Sequence, residues 1–451
     1  MQYFCLMRQL FFYLLVLELF LKGATIVPQQ KKERKNMNRE FFMENRKALY
    51  SKTEEKGLLL LFSGHAPKKT NDENYPFFAD RSYMYFTGVH QEDTILMTEI
   101  YTKEEWKEAL YILPPDMLAE RWTGRRIKPE EAEAQSGIQE YRNTENFQKD
   151  LENCLMNKGF TTVYMDFGKL EASEADTESY RLAAWLRKEY PYVQIKNLNP
   201  WIRQLRTIKK PCELEALRKA EWVTKEGIEA MMRASRPGMF EYQYKAEFDY
   251  ALAQHGILAP GFPSIISAGQ NNFCIHYYSY RGQAQDGDMI LNDVGSGWDL
   301  EVNDISRAFP CNGKFTEKQR LLYDCAYRTS EHMFEILKPG IPMKDVDLIA
   351  RKYNYEQLKD IGLCKSYEDI GTYMWHGGAH HVGFDVHDAV APDLITAPGM
   401  VFCVDIGIYC EEWGIGFRIE DNCLITEDGC EELSYMIPKK AEDIEAFMGR
   451  R

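Results

Sequence analysis

The 11 cysteines of this 451-residue chain are scattered and include no Cys-x-x-Cys pair. Disulfide scaffolds are short and dense in cysteine, so this pattern predicts reduced thiols in a cytoplasmic protein. A basic excess is also missing, because the formal net charge at pH 7 is −14. Nucleic-acid binding needs a basic face, so we expect no nucleic-acid partner.

The chain offers no convincing membrane segment. The apolar run at residues 10–21 is interrupted by Glu18, whereas a membrane-spanning helix needs about 20 apolar residues. No cleavage site of the A-x-A type follows it. We therefore expect no membrane partner and interpret residues 1–36 as a non-native or signal-like extension. Translation is predicted to start at Met37; a genuine signal or anchor segment is the alternative.

Hydrophobic residues make up 45% of the chain and aromatic residues 13%. This composition is enough for packed cores in two or three domains. Helix and strand signals alternate over residues 41–200, which predicts a mixed α/β domain at 37–200. The segment 197–200 is interpreted as a linker, because it ends in Asn-Pro. Residues 201–451 then form a second, α+β domain.

Within the second domain the same order of elements occurs twice. A helix that stops at Pro-Gly is followed by a second helix, and later by an apolar strand that ends in Asp-Val-Gly or Asp-Ile-Gly. These parts lie at 213–234, 240–254 and 291–295 in the first half, and at 317–337, 343–360 and 403–407 in the second. The shared order predicts a duplication with pseudo-two-fold symmetry, with coincidence as the alternative.

Two hairpins of this domain carry acidic residues in apolar strands. Residues that face each other in a hairpin are placed symmetrically about its turn. The midpoint between Asp293 and Asp304 falls between Trp298 and Asp299, in a segment rich in glycine and polar residues. We therefore predict that the side chains of Asp293 and Asp304 face each other across neighbouring strands.

The second hairpin follows the same logic. The midpoint between Asp405 and Glu420 falls between Glu412 and Trp413, which again is typical of a turn. Buried carboxylates are costly unless a cation balances them. Four of them on strands rich in Val, Ile and Phe therefore predict a metal site. Cys403, next to this group, is interpreted as a small buried hydrophobic residue.

Histidines cluster around the same region of the sequence. Five of the nine histidines are His276, His376, His380, His381 and His387. His380 is predicted to complete a metal shell, His376 or His387 to donate to an oxyanion, and His381 to be structural. Four carboxylates and an imidazole are too rich in oxygen for a structural zinc site. They suit a pair of Mn²⁺-like ions that hydrolyse an acyl bond.

These residues lie in motifs that resemble the metallopeptidases with the pita-bread fold, and within them the proline-specific aminopeptidase P family. The motifs that carry the resemblance are at 275–277, 286–288, 303–310, 312–315, 376–380, 385–388, 398–401 and 414–421, with an N-terminal motif at 85–88. The resemblance implies an N-terminal α/β domain followed by a pita-bread catalytic domain with pseudo-two-fold symmetry. It also implies a homo-oligomer, either a dimer or a tetramer.

The resemblance further implies two divalent ions, with Mn²⁺ preferred. The implied ligands are Asp293, Asp304, His380, Asp405 and Glu420, of which Asp304 and Glu420 bridge both ions. The implied substrate-binding and proton-handling residues are His276, His376, His387 and Arg418. The family has Glu-Pro-Gly where this chain has Asp405-Ile406-Gly407. The family glutamate is a ligand and general base, so Asp405 inherits both roles with a side chain about 1.5 Å shorter.

The implied reaction is release of the first residue from a peptide that has proline in second position. The metals activate a water for attack on the carbonyl carbon of the Xaa-Pro bond, with Asp405 as general base. An Xaa-Pro dipeptidase would use the same ligands and is the nearest alternative. A catalytically weak peptide-binding module on the same fold is the alternative from another class.

Overall fold

The computed structural model describes residues 37–54 and 56–449, so the predicted extension at 1–36 lies outside the described residues. The helices are α1 (Arg39–Tyr50), α2 (Arg81–Thr87), α3 (Met117–Thr123), α4 (Pro129–Ser136), α5 (Phe147–Asn157), α6 (Glu178–Glu189), α7 (Asn199–Thr207), α8 (Pro211–Ala234), α9 (Glu241–Gln254), α10 (Glu317–Ile336), α11 (Met343–Asp360), α12 (Ile370–Tyr373) and α13 (Ala441–Met448). Among the described residues, no helix is both long and apolar enough to cross a membrane.

The strands form an N-terminal sheet and two smaller three-stranded sheets in the C-terminal half. They are β1 (Gly57–Phe62), β2 (Ile95–Ile100), β3 (Trp106–Ile112), β4 (Tyr141–Asn143), β5 (Thr162–Met165), β6 (Gln194–Asn197), β7 (Ile265–Ala268), β8 (Met289–Val294), β9 (Gly297–Trp298), β10 (Glu301–Val302), β11 (Ile305–Pro310), β12 (Val401–Cys410), β13 (Ile415–Ile425) and β14 (Cys430–Glu432). The short strands β9 and β10 pair with each other.

The N-terminal sheet has the strand order β4-β3-β2-β1-β5-β6, with both parallel and antiparallel pairs. Its central strand is the leucine run of β1, which is buried on both faces. Successive side chains of a strand point to opposite faces, and accordingly Leu58 and Leu60 join one apolar cluster while Leu59 and Leu61 join another. The predicted mixed α/β character of this domain is confirmed.

The predicted linker at 197–200 is wrong. Asn197 ends β6, Leu198 is fully buried, and α7 begins at Asn199. Pro200 lies in the first turn of α7, where a backbone N–H has no partner within the helix and proline is favoured. The Asn-Pro pair therefore marks a helix start instead of a flexible connection.

The C-terminal half repeats one arrangement. In its first part, α8 and α9 precede a sheet with the order β11-β8-β7; in its second, α10 and α11 precede a sheet with the order β12-β13-β14. The observed helix bounds agree with the predicted ones within two residues. The described order of elements therefore matches the predicted duplication.

Side chains join the two C-terminal sheets next to the acidic residues. Asn422 of β13 donates from Nδ2 to the carbonyl of Asp304 at 2.8 Å and accepts from its N–H at 3.1 Å. Arg307 of β11 forms a fully buried ion pair with Asp421. Arg307 Nη1 also donates to the carbonyl of Glu420 at 2.8 Å. These bonds fix β11 against β13 and thereby bring the two hairpins together.

Candidate metal centre

The second hairpin places its two acids as predicted. Asp405 of β12 lies directly opposite Glu420 of β13 in an antiparallel pair. The chain reverses through a short 3₁₀ segment that ends at Gly414, whose φ is +66°. Cross-strand partners have neighbouring side chains, so these two carboxylates lie side by side in the apolar centre of the domain.

The first hairpin differs from its predicted register. Asp293 of β8 pairs with Ser306 of β11 and not with Asp304. The turn is centred between Asp299 and Leu300, one residue beyond the predicted midpoint. Both residues have positive φ, 47° and 80°. The consequence is small, because Asp304 is two residues from Ser306 and alternation keeps its side chain on the same face.

A glycine-rich loop brings His380 to the acids. The His380 Nε2 atom lies 3.5 Å from Asp304 Oδ2 and 3.6 Å from Glu420 Oε1. The loop approaches β12 very closely, since a Cβ on Gly378 would lie 2.1 Å from the Cβ of Asp405. Cys403 N donates to the carbonyl of His380 at 2.8 Å, which fixes the loop to the strand.

One ligand-capable atom from each of Asp304, His380, Cys403 and Glu420 lies within 4.8 Å of the others. Cys403 was interpreted from the sequence as a small buried residue, and it is fully buried. Its sulfur accepts a hydrogen bond from Asn422 Nδ2 at 3.3 Å. Sequence reasoning did not foresee that this thiol lies among the ligand atoms.

Three buried carboxylate oxygens of the described residues at this centre lack a hydrogen-bond partner. Within the described part of the chain, Oδ1 of Asp293, of Asp304 and of Asp405 is buried without a hydrogen-bond partner. Burial and the negative charge of Glu420 raise the pKa of Asp304 and of Asp405 well above the usual range. Burial would raise the pKa of Glu420 as well, but the hydrogen bond with His380 lowers it.

Arg418 and Tyr409 link the two ends of the centre. Arg418 donates from Nη2 to Asp293 Oδ2 at 2.7 Å and from Nη1 to the hydroxyl of Tyr409 at 3.0 Å. Tyr409 OH lies 2.9 Å from His376 Nε2, and His376 Nδ1 lies 3.3 Å from Asp405 Oδ2. Burial and the charge of Arg418 lower the pKa of His376 to about 4, so this imidazole is neutral at pH 7.

Tyr409 was missed by the sequence analysis, although a signal was available. It lies four residues after Asp405 on the same strand, and side chains at i and i+4 of a strand share a face. Its ring also stacks on Trp375, with the centroids 4.6 Å apart and the planes 14° from parallel.

The remaining predicted histidines lie at the open side of the centre. His387 stacks on His380 with ring centroids 4.0 Å apart, and the side chain is exposed. His276 is also exposed and faces Tyr278 at 6.4 Å. The carbonyl of Ile275, the preceding residue, accepts from Arg418 at 3.3 Å. His381 instead is buried against the ring of Phe402, in agreement with a structural role.

This donor set fits divalent metal ions. Carboxylate oxygens and imidazole nitrogens are ligands of hard or borderline cations, and the buried oxygens without partners need positive charge nearby. Asp293, Asp304, His380, Asp405 and Glu420 are the residues that would hold such ions. The thiol of Cys403 is the one soft donor within the described group of ligand atoms.

The comparisons agree with this chemistry. The chain matches metallopeptidase family M24 over residues 215–427 and the aminopeptidase P N-terminal domain over residues 42–164. An Xaa-Pro aminopeptidase of Haemophilus influenzae is 31% identical over 91% of this chain and 97% of its own length.

Solved structures give the same result. A Bacillus anthracis protein assigned to aminopeptidase P matches with a TM-score of 0.89 at 34% identity, over 92% of this chain and 99% of that one. Aminopeptidase P of Escherichia coli with the inhibitor Pro-Leu matches with a TM-score of 0.84 at 28% identity, over 91% and 98%. The fold is therefore the expected pita-bread fold behind an N-terminal α/β domain. The chain belongs to the aminopeptidase P branch of metallopeptidase family M24, whose members are metal-dependent hydrolases.

Proposed function

We propose that this chain is an Xaa-Pro aminopeptidase, which releases the first residue from peptides with proline in second position. The observation that carries the proposal is the close group of Asp304, His380 and Glu420, with Asp405 directly opposite Glu420. Asp293, Asp304 and Asp405 each have a buried oxygen without a hydrogen-bond partner. Divalent ions, when bound there, lower the pKa of a water and polarise a peptide carbonyl. We propose Mn²⁺ as the preferred ion, because the donors are mostly carboxylates.

The protein's own groups then divide the proton transfers and the charge stabilisation. Asp405 is the proposed general base, since it is the acid that contacts a neutral imidazole, His376. Both nitrogens of His376 have protein neighbours, Asp405 and Tyr409. The exposed His387 is therefore better suited to donate to the oxyanion that forms on the peptide carbonyl. Arg418 orients Asp293 and, through the Ile275 carbonyl, the segment that carries His276.

Three further proposals concern the setting of the enzyme. The helix α3 exposes Met117, Leu118 and Trp122 at 78%, 67% and 85%. An exposed apolar group of this kind favours an interface, which supports a homo-oligomer, either a dimer or a tetramer. The scattered cysteines favour a cytoplasmic location. The division of the chain into domains at 37–200 and 201–451 is kept as a proposal, with α7 as the helix that spans the boundary.

The test is metal-supplemented cleavage of three peptides: Ala-Pro-Ala, Ala-Pro and Ala-Ala-Ala. We expect Mn²⁺ to support release of alanine from Ala-Pro-Ala, with little cleavage of the other two. The Glu420→Gln variant is the matched negative control. Preferred cleavage of Ala-Pro would indicate a dipeptidase instead. Binding of Ala-Pro-Ala without cleavage at any Mn²⁺ concentration would support the peptide-binding module and overturn the proposal.

A further inference from the structure

The segment that carries His387 is attached to parts of the chain outside the M24 match. Residues 383–391 leave the glycine-rich loop and run past the metal centre. Arg203 of α7 donates to the carbonyl of Val390, and Thr207 Oγ1 accepts from the N–H of Ala391 at 3.1 Å. The far end of the segment is thus held by α7, which lies between the N-terminal and catalytic matches.

The strongest attachment is a buried ion cluster at the residue after His387. The guanidinium of Arg206 donates from Nη2 to the carboxylates of both Asp385 and Asp388, the first at 2.6 Å. Lys209 donates to the second oxygen of Asp388. The Asp388, Arg206 and Lys209 side chains are almost completely buried. His387 therefore lies between two carboxylates that share one arginine.

Both cations stabilise the charged form of Asp388. Burial alone would raise the pKa of Asp388, but Arg206 and Lys209 hold it far below its usual range. Burial alone would lower the pKa of Arg206, because it disfavours the charged guanidinium, yet Asp388 and Asp385 raise it. Asp388 and Arg206 are consequently both charged throughout the neutral pH range and hold the segment through a buried ion pair.

The other end of the segment is held by the N-terminal domain. Arg81 of α2 donates to the carbonyl of Phe384 at 2.7 Å and to the carbonyl of Leu300 at 2.6 Å. The ring of Phe384 lies against Tyr85, at 5.1 Å and nearly perpendicular, and is stacked parallel to Phe41 at 6.4 Å. The residues on both sides of His387 are therefore anchored, while its own ring projects to the open side.

A general structural role would explain the ion cluster without reference to catalysis, because breaking a buried pair is destabilising in any position. Two observations favour a more specific role. Arg206 is bonded to the residues at −2 and +1 from His387 in the sequence. In addition, the N–H of Asp388 donates to the carbonyl of His381 at 2.8 Å, so the cluster sets the distance between the His387 segment and the loop that bears His380.

We propose that Arg206 is a positioning residue for His387: through Asp385 and Asp388 it holds the His387 ring against His380, where it can meet the substrate carbonyl. The proposal rests on the proposed function and assigns a part in the reaction to a residue outside the M24 match. Reaction geometry is sensitive at this scale, because a shift of about 1 Å can cost on the order of a hundredfold in rate.

The experiment is a double-mutant cycle on the full chain with Mn²⁺. The four proteins are the wild type, Arg206→Met, His387→Ala and the double variant, and the readout is kcat/KM for Ala-Pro-Ala. We expect each single variant to lose about a hundredfold. The double variant should lose no more than His387→Ala, because Arg206 acts through that ring, whereas independent effects would multiply to roughly ten-thousandfold.

A matched control and a milder variant keep the result interpretable. Arg218→Met removes a bidentate pair with Glu431 on the surface of α8 and should leave kcat/KM unchanged. If Arg206→Met does not fold, Arg206→Lys replaces it in the cycle, since lysine keeps the charge but loses the planar fork that joins two carboxylates. Folding is checked by circular dichroism and by Mn²⁺ content, which should equal the wild-type value.

The outcomes are distinct. Additive losses in the cycle, or a folded Arg206 variant with wild-type kcat/KM, would overturn the positioning role. If the wild type binds Ala-Pro-Ala but does not cleave it, the proposed function fails. The same cycle is then measured by the Kd of the peptide, where non-additivity still supports the positioning role and additivity still overturns it.

Discussion

Asp405 and Glu420 lie directly opposite each other on β12 and β13, and the His380 Nε2 atom lies 3.6 Å from Glu420 Oε1. Loss of one member should therefore remove metal binding while the hairpin remains. We predict that Mn²⁺ raises the Tm of the wild type, because at a hundredfold excess over Kd a ligand stabilises by about 2.7 kcal/mol. Glu420→Gln should show little or no shift by differential scanning fluorimetry.

The control for this measurement is Glu431→Gln, an exposed glutamate on the neighbouring strand β14 that pairs with Arg218. It should keep the full Mn²⁺-induced shift. An equal shift in Glu420→Gln and in the wild type would place the metal elsewhere.

Replacing Asp405 by glutamate tests the departure from the family motif. The longer side chain extends the carboxylate by about 1.5 Å towards the other ligands. We expect Asp405→Glu to raise kcat/KM for Ala-Pro-Ala about tenfold, since placement of a catalytic group at the ångström scale controls the rate. Steady-state kinetics and calorimetric Mn²⁺ affinity are the measurements, and Glu412→Asp in the exposed turn is the control. A lower rate would mean that this chain has adapted to the shorter acid.

Tyr409 bridges Arg418 and His376, so Tyr409→Phe removes one hydroxyl and two hydrogen bonds. Changes of groups that orient metal ligands typically cost about 10- to 100-fold in activity. We expect kcat to fall within that range while the Mn²⁺ content stays the same. Tyr435→Phe, at an exposed tyrosine, should have wild-type kinetics. Wild-type kcat in Tyr409→Phe would show that the chain of hydrogen bonds is dispensable.

The buried cluster around Asp388 predicts a defined dependence of stability on pH. The pKa of Asp388 is depressed in the folded state. Its charge therefore contributes fully to stability above the unfolded pKa, about 3.9, and this contribution is lost progressively as the pH falls from there towards the folded pKa. Asp388→Asn leaves Lys209 without the carboxylate to which it donates and Arg206 paired with Asp385 instead of with two carboxylates. We expect it to be less stable than the wild type by about 3–5 kcal/mol between pH 5 and pH 8.

Urea unfolding of both proteins at several pH values measures this difference. It should shrink progressively below about pH 4, because the unfolded chain then protonates Asp388 while the folded chain still holds this carboxylate ionised. A difference that grows on acidification would contradict the assignment of the charge to Asp388.

The acids of the site could be predicted because three of them stand on apolar strands and Asp304 directly precedes one. A hairpin also relates its residues symmetrically about the turn. The register of the first hairpin could not be predicted in this way. Its turn places Leu300 at φ +80°, a conformation that bulky residues rarely adopt, so the sequence favoured the glycine-rich side. Tertiary contacts impose this turn, including the bond from Arg81 to the Leu300 carbonyl.

Contacts between segments that are distant in the chain could also not be predicted from the sequence. Arg206 and Asp388 are 182 positions apart, and no periodicity relates them. Cys403 was correctly expected to be buried, but its approach to Glu420 and His380 depends on the loop that Gly378 allows to lie against β12. Patterns along the chain identified the ligands, whereas the surroundings that orient them required the folded structure.

The ring of Phe384 has a practical consequence for protein engineering. A minimal enzyme cut down to the ligand-bearing half would lose Phe41 and Tyr85, the two aromatic residues that pack against that ring. Such a fragment would expose the aromatic side chain of Phe384, three residues from His387, and would free one end of the segment that carries His387. A smaller catalyst built on this scaffold would therefore need new apolar contacts for Phe384 before any change to its metal site.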